Sequence, residues 1–258
     1  MVKPMNVFRL PKGFTFLKPA QALLLLYVLW EATALLFPAW PSPRAVFGAL
    51  MDDFRQPIFR AALAGSAWRM VIGYALVILV GISGGLLLGR IPLIDQIIGS
   101  FAVAVHAIPG AAWVPLSIIW FGMTEQAVIF TILLGACGIV MVSTDTGIRE
   151  VPPLVARAAR TLGARDAKYF WFVVVPAAIP KIVDGLRLAW AFGWRALMAG
   201  ELLTSVSGLG QLLSQVAKAG QLDQLLAIML LIAGIGIAVD GLIFKRLEHA
   251  VRVRWGLA

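Results

Sequence analysis

Six apolar runs, most of them near 20 residues and divided by short charged segments, leave this chain few ways to fold. In a bilayer core every backbone N–H and C=O needs an internal partner, so runs of this kind read as helices that cross a membrane. By that criterion the candidate spans are about 20–38, 62–89, 95–120, 126–146, 179–203 and 224–244. Pro109 and Pro115 interrupt the third, and Arg187 and Arg195 lie within the fifth. The charged fraction is 14%, against about a quarter in a soluble domain. The expectation is an all-α, polytopic membrane protein.

The distribution of Lys and Arg sets an orientation. Lys3, Arg9, Lys12 and Lys18 form an N-terminal tail (1–19) that is expected to be cytoplasmic, as is a C-terminal tail (245–258) with Lys245, Arg246, Arg252 and Arg254. Segment 145–187 is also basic, whereas 121–125 and 201–223 are lean in basic residues. Six spans with both termini in the cytoplasm fit this pattern. The first apolar run exceeds a signal-peptide core and is read as an uncleaved span. The net charge of +9 is confined to short segments between apolar runs, so topology explains it and a nucleic-acid partner is not expected. The single cysteine, Cys137, excludes an internal disulfide. In the second span Gly81, Gly85 and Gly89 recur every fourth residue. Such a small-residue face serves close helix packing, either inside one subunit or at a dimer seam.

The long connection between the fourth and fifth spans (147–178) carries more than a turn requires. Pro152 and Pro153 suit a helix start, and Gly163 suits its C-terminal cap. Leu154, Ala158 and Leu162 share one face, while Arg157, Arg160 and Arg165 project elsewhere. Asp166 is positioned to open a second short helix that ends before Pro176.

These residues resemble the cytoplasmic EAA loop of ABC importer permeases: EAA, three residues, Gly, nine residues, I-x-L-P. Here Arg157-Ala158-Ala159 is followed by three residues, Gly163, nine residues, and Val173-Val174-Val175-Pro176. Arg157 stands where the motif has glutamate, so the ion pairs of that glutamate are not carried over. Two valines replace the isoleucine and leucine. The blocks PLSIIWFG (115–122), GLRLAWAFGWRALMAGE (185–201) and GLGQLL (208–213) resemble the nitrate/sulfonate/taurine branch.

The resemblance implies a type I permease, acting as a homodimer with a separate ATPase dimer and an extracytoplasmic binding protein. Its cargo would be a small anion such as a sulfonate, nitrate or bicarbonate, with a vitamin precursor as the alternative. It assigns ATPase coupling to Arg157, Ala158, Ala159, Arg160, Gly163, Arg165, Lys168 and Pro176. The chain has no phosphate-binding G-x-x-x-x-G-K-[ST] loop, so ATP and magnesium would be held by the partner.

Ionisable residues inside spans are functional candidates by default. Arg69, Arg187, Asp240 and Glu201 each allow a structural reading: snorkelling for Arg69, a span end for Arg187 and Glu201, a contact with Lys245 for Asp240. Arg195 lies deeper. It needs a partner or a wet cavity and suits an anionic cargo. His106, Trp113, Arg195 and Glu201 are the candidate pathway residues, and a lone His without further ligands gives no metal site. A distant alternative is a rhomboid-like intramembrane serine protease using Ser83, in Gly81-Ile82-Ser83-Gly84, with His106. It leaves the EAA-like loop without a purpose. A self-sufficient secondary carrier lacks the internal repeat expected of one.

Overall fold

The computed structural model describes residues 19–91, 104–105 and 107–256, and these contain helices and no strands. Helix α1 spans Pro19–Leu36 and α2 spans Pro43–Arg55. Ser42 caps α2, accepting from the Ala45 N–H at 3.3 Å, and Pro43 sits in the first turn where its missing N–H costs nothing. Helix α3 runs Pro57–Arg90. A 3₁₀ turn, Gly110–Trp113, leads into α4 (Val114–Phe121), which Gly122 closes with a φ of +70°. Then follow α5 (Glu125–Arg149) and α6 (Pro153–Thr161). Helix α7 (Asp166–Tyr169) continues through a π-helical turn, Phe170–Val174, into α8 (Val175–Leu203). The chain then forms α9 (Leu209–Lys218) and α10 (Leu222–Val239). A second π turn, Asp240–Phe244, joins α10 to α11 (Lys245–Arg254).

Three helical runs are long and apolar enough to cross a membrane by length and composition: Pro57–Arg90, Glu125–Arg149 and Leu222–Arg254. Helix α1 and the Gly110–Phe121 segment are shorter apolar elements. The expected third span lies partly outside the described residues. Helices α2 and α9 have no counterpart among the expected spans, because both are short and amphipathic and apolar runs do not mark them. The expected C-terminal tail is helix α11, a direct continuation of α10.

Helix α5 is the centre of the bundle and packs along most of its length against α3 and α8. The glycines of α3 make that approach possible. A Cβ on Gly81 would come 2.6 Å from Val140, one on Gly85 would come 2.5 Å from the Met141 carbonyl oxygen, and one on Gly89 would come 2.8 Å from Ile148. The small-residue stripe is therefore consumed inside the subunit, which decides against the dimer seam for this face. Met70, Val77, Ile132, Val140, Ala189 and Leu197 fill the central core. A second cluster, Ile148, Phe170, Val174, Ala178 and Ile182, lies at the end from which the α5–α6 connection leaves. A third, Phe59, Leu209 and Ile228, joins α3, α9 and α10 at the opposite end.

Contrary to the sequence expectation, the helix opened by Asp166 does not stop before Pro176. The chain is helical from Asp166 to Leu203. The reason is the π turn: Val175 N–H bonds to Phe170 O, five residues back, and Pro176 falls in the first turn of α8, where proline is tolerated. Pro180 lies inside α8 and has no N–H to offer the Pro176 carbonyl four residues earlier. The indole Nε1–H of Trp255, just beyond α11, donates to that carbonyl at 3.0 Å. The tip of α11 is thus fastened to the start of α8.

Candidate coupling loop and translocation pathway

The α6 segment has the features of a short, rigid knob. Pro153 starts it, and Gly163 ends it with a φ of +85°. Gly163 N–H bonds to Arg160 O at 3.0 Å and Ala164 N–H to Ala159 O at 3.0 Å, the paired bonds of a Schellman cap. A side chain at position 163 would be strained in this left-handed conformation, although open space surrounds it. Ala159 is buried beneath the helix. The opposite face is bare: Leu154 is 71% exposed and Leu162 87% exposed, with Ala158 between them. Arg157, Arg160, Arg165 and Lys168 surround this face and are exposed, and Arg160 also lies over the Tyr169 ring at 5.7 Å. Pro176 is held by Trp255 at the head of α8. The loop therefore presents an apolar ridge in a basic collar on α6, which the Gly163 turn joins to the helical run from Asp166 into α8.

Among the described residues, the ionisable side chains singled out within the spans form two networks, and Arg195 stands apart from both. Glu201 is completely buried. Its carboxylate accepts from Ser66 Oγ at 2.8 Å and from the Gly210 N–H at 3.0 Å, and it pairs with the Arg69 guanidinium. Arg69 also bonds to the Ser207 carbonyl and lies 3.8 Å from Glu125. This places Glu201 in an enclosed clasp between α3, α8 and the start of α9, and not on an open pathway. Arg69 does not snorkel: it is 1% exposed, and Glu201 is what holds it there.

The second network is centred on Arg187. It donates to Asp240 at 2.6 and 2.9 Å and to Glu248 at 2.6 Å, which ties α8 to the π turn and α11. Asp240 is accordingly paired with Arg187, while Lys245 stands 4.0 Å away. Arg252 adds contacts to Glu248 at 2.9 Å and Asp184 at 3.8 Å.

Arg195 is the outlier. It is exposed, and among the described residues no carboxylate lies within ion-pair distance; its guanidinium sits 5.2 Å from the Phe192 ring centroid. It lines a groove of about 460 Å³ between α8 and α10, with Trp190, Trp194, Met198, Met229 and Gly236. The two indoles are stacked, with centroids 5.8 Å apart and planes 16° from parallel. Trp194 Nε1 donates to the Ile232 carbonyl at 3.1 Å, which spaces α10 from α8. Sequence reasoning did not single out this aromatic pair, although its i, i+4 spacing on a helix was visible.

Trp113 is half-buried in the 3₁₀ turn and does not line this groove, though Gly110 of the same turn packs against Ala196. His106 lies outside the described residues. Ser83 donates its hydroxyl to the Leu79 carbonyl at 2.6 Å, within its own helix. This common back-bond gives no sign of an activated nucleophile.

Comparison with known proteins agrees with this architecture. The chain is 32% identical over 221 residues to a putative ABC transporter permease protein of Methanocaldococcus jannaschii, covering 83% of each. It is 32% identical over 217 residues to the taurine transport system permease protein of Escherichia coli, covering 82% of this chain and 76% of that one. A nitrate import permease protein of Leptolyngbya laminosa is 28% identical over 181 residues, covering 70% of this chain and 65% of the other. Among solved structures, an amino acid ABC transporter superposes with a TM-score of 0.61 at 19% identity, covering 77% of this chain and 94% of that one. The model of the binding-protein-dependent transport system inner membrane component family matches residues 77–253. The chain belongs to that family and is a membrane-embedded permease subunit of an ABC importer, not an enzyme.

Proposed function

We propose that this permease couples to its ATPase through α6, works as a pair of identical copies, and carries a small organic or inorganic anion toward the cytoplasm. The observation that carries the coupling assignment is the bare apolar ridge of Leu154, Ala158 and Leu162 on a helix pinned at both ends by proline and a Schellman-capped glycine. Exposed apolar surface of this kind, framed by polar residues, marks a contact with another protein. Arg157, Arg160, Arg165 and Lys168 supply a basic frame that suits an acidic rim on the partner. ATP and magnesium are bound by that partner. The continuous helical run from Asp166 to Leu203 then carries a push at the loop into the bundle as a rigid-body movement. Both termini face the cytoplasm, consistent with the basic segments. An extracytoplasmic binding protein delivers cargo to the opposite face. The anionic cargo is supported by Arg195, which has no carboxylate partner among the described residues, and by the taurine and nitrate permeases among the relatives.

The test is Gly163→Asp. Aspartate in the left-handed conformation strains the cap and places a negative charge inside the basic collar. The variant is expected to insert normally, to lose the co-purifying ATPase, and to lose transport. Wild-type ATPase recovery and transport in this variant would remove α6 as the docking element.

A further inference from the structure

We infer that the groove between α8 and α10 is a binding site for an organic anion with an apolar body, and that it discriminates against inorganic oxyanions. This inference rests on the anion-permease reading above and narrows its cargo.

The groove holds about 460 Å³, within the range of sites for organic molecules of moderate size. A water molecule takes up about 30 Å³, and an oxyanion of four or five heavy atoms would leave most of the groove unfilled. The lining decides the point further. Trp190, Ala191, Trp194, Met198, Leu213, Met229, Ile232 and Gly236 present mainly apolar surface; Arg195 is the one cation in the lining and Asp240 the one carboxylate, its charge already paired with Arg187. Trp194 Nε1 is already committed to the Ile232 carbonyl, whereas Trp190 Nε1 is buried without a hydrogen-bond partner.

The groove continues toward Asp184 and Glu248, but the next cation there, Arg187, is neutralised by Asp240 and Glu248. A fully polar oxyanion has oxygens on every side, and one guanidinium satisfies only two of them. Its other oxygens would face indole and thioether surface, at the cost of burying unpaired polar atoms. A sulfonate or carboxylate on an aromatic or aliphatic body lowers this cost, because its oxygens gather at one end and the rest of the molecule is apolar. Its head pairs with Arg195, and its body lies along the stacked Trp190–Trp194 wall.

The larger cleft of about 690 Å³ between α1 and α10 has no charged residue in its lining, and so nothing to hold an anion.

The experiment uses the whole complex, permease with its ATPase, in lipid nanodiscs and without binding protein. Calorimetry would measure benzenesulfonate, methanesulfonate and nitrate. Benzenesulfonate is expected to bind about tenfold or more tighter than nitrate, with methanesulfonate between them. Arg195→Gln should weaken benzenesulfonate by about tenfold or more, because a charge-assisted pair is removed. Ala191→Leu, which narrows the groove, should weaken benzenesulfonate and leave nitrate unchanged.

Nitrate binding as tightly as benzenesulfonate, or benzenesulfonate indifferent to Arg195→Gln, overturns the inference. So does an Arg195→Gln complex that no longer assembles, since Arg195 would then be a structural residue. Co-purification of ATPase with the unaltered permease is read on the same sample. Its absence counts against the coupling assignment, whereas an assembled complex that prefers nitrate counts against the organic-anion site alone.

Discussion

At the scale of single residues, Arg69, Glu201 and Arg187 are tied into ion pairs that hold helices together, while Arg195 has no carboxylate partner among the described residues. Arg69 and Glu201 are 132 positions apart in sequence and both almost fully enclosed. A buried pair of this kind adds little net stability over an apolar replacement, but removing one member strands the other. Glu201→Gln is therefore expected to destabilise the folded permease by roughly 3–5 kcal/mol, read as a lower unfolding temperature in detergent. The double variant Arg69→Met/Glu201→Leu should recover much of that loss; equal or greater destabilisation in the double variant would show that the pair itself supplies the stability. The sequence made each ion conspicuous by placing it in an apolar run. Arg195 and Glu201, six apart on one helix, have no direct i,i+4-type contact open to them. The sequence offered no route to the true partner of Glu201, since pairing across 132 residues depends on how α3 and α8 align, and local spacing carries no trace of that. Arg195 was legible as the ion without a helical neighbour to neutralise it.

At the scale of elements, what was legible follows from the kind of signal each helix carries. The long helices announce themselves as apolar runs, and the Pro152-Pro153 start and Gly163 stop of α6 follow from backbone chemistry alone. Helices α2 and α9 were missed because 13 and 10 residues of mixed polarity produce no such run. The two π turns were also invisible, since nothing in FWFVV or DGLIF marks a five-residue hydrogen-bond step. The α3–α5 contact gives the sharpest test at this scale. Gly85→Ala would bring a methyl group against the Met141 carbonyl oxygen and Thr144, which leaves only helix separation as a remedy. Overpacking of that kind costs typically about 1–3 kcal/mol. Gly234→Ala on α10 meets open space. Thermal melts of the two variants side by side should show a loss for Gly85→Ala and none for Gly234→Ala; equal melts would mean that α3 and α5 do not approach as closely as described.

At the scale of the whole molecule, the three-helix core of α3, α5 and α8 is distinct from α10, which leans on α2 and α9 at one end and is tied to α8 through Trp194 and Arg187. Arg187→Gln leaves Asp240 and Glu248 facing each other without their shared cation. The expected result is a loosened α11, seen as faster tryptic cleavage at Lys245, Arg246 and Arg252, with cleavage at the α6 arginines unchanged. Unaltered cleavage in α11 would mean that Trp255 alone secures it. The overall architecture was readable because membrane insertion rewards long apolar segments; the spacing of α10 from the core was not, because it depends on two indole side chains acting as a wedge. The bond from Trp255 to the Pro176 carbonyl also has a meaning in time. Residues are added to a growing chain in order, and Trp255 follows every helix described here. Until it emerges from the ribosome, the stem of the proposed coupling loop holds a carbonyl that Pro180 cannot serve. A chain halted before residue 255 would contain every helix described above and still lack the fastening beside the loop, so the loop's stem is completed only after all of those helices have been made.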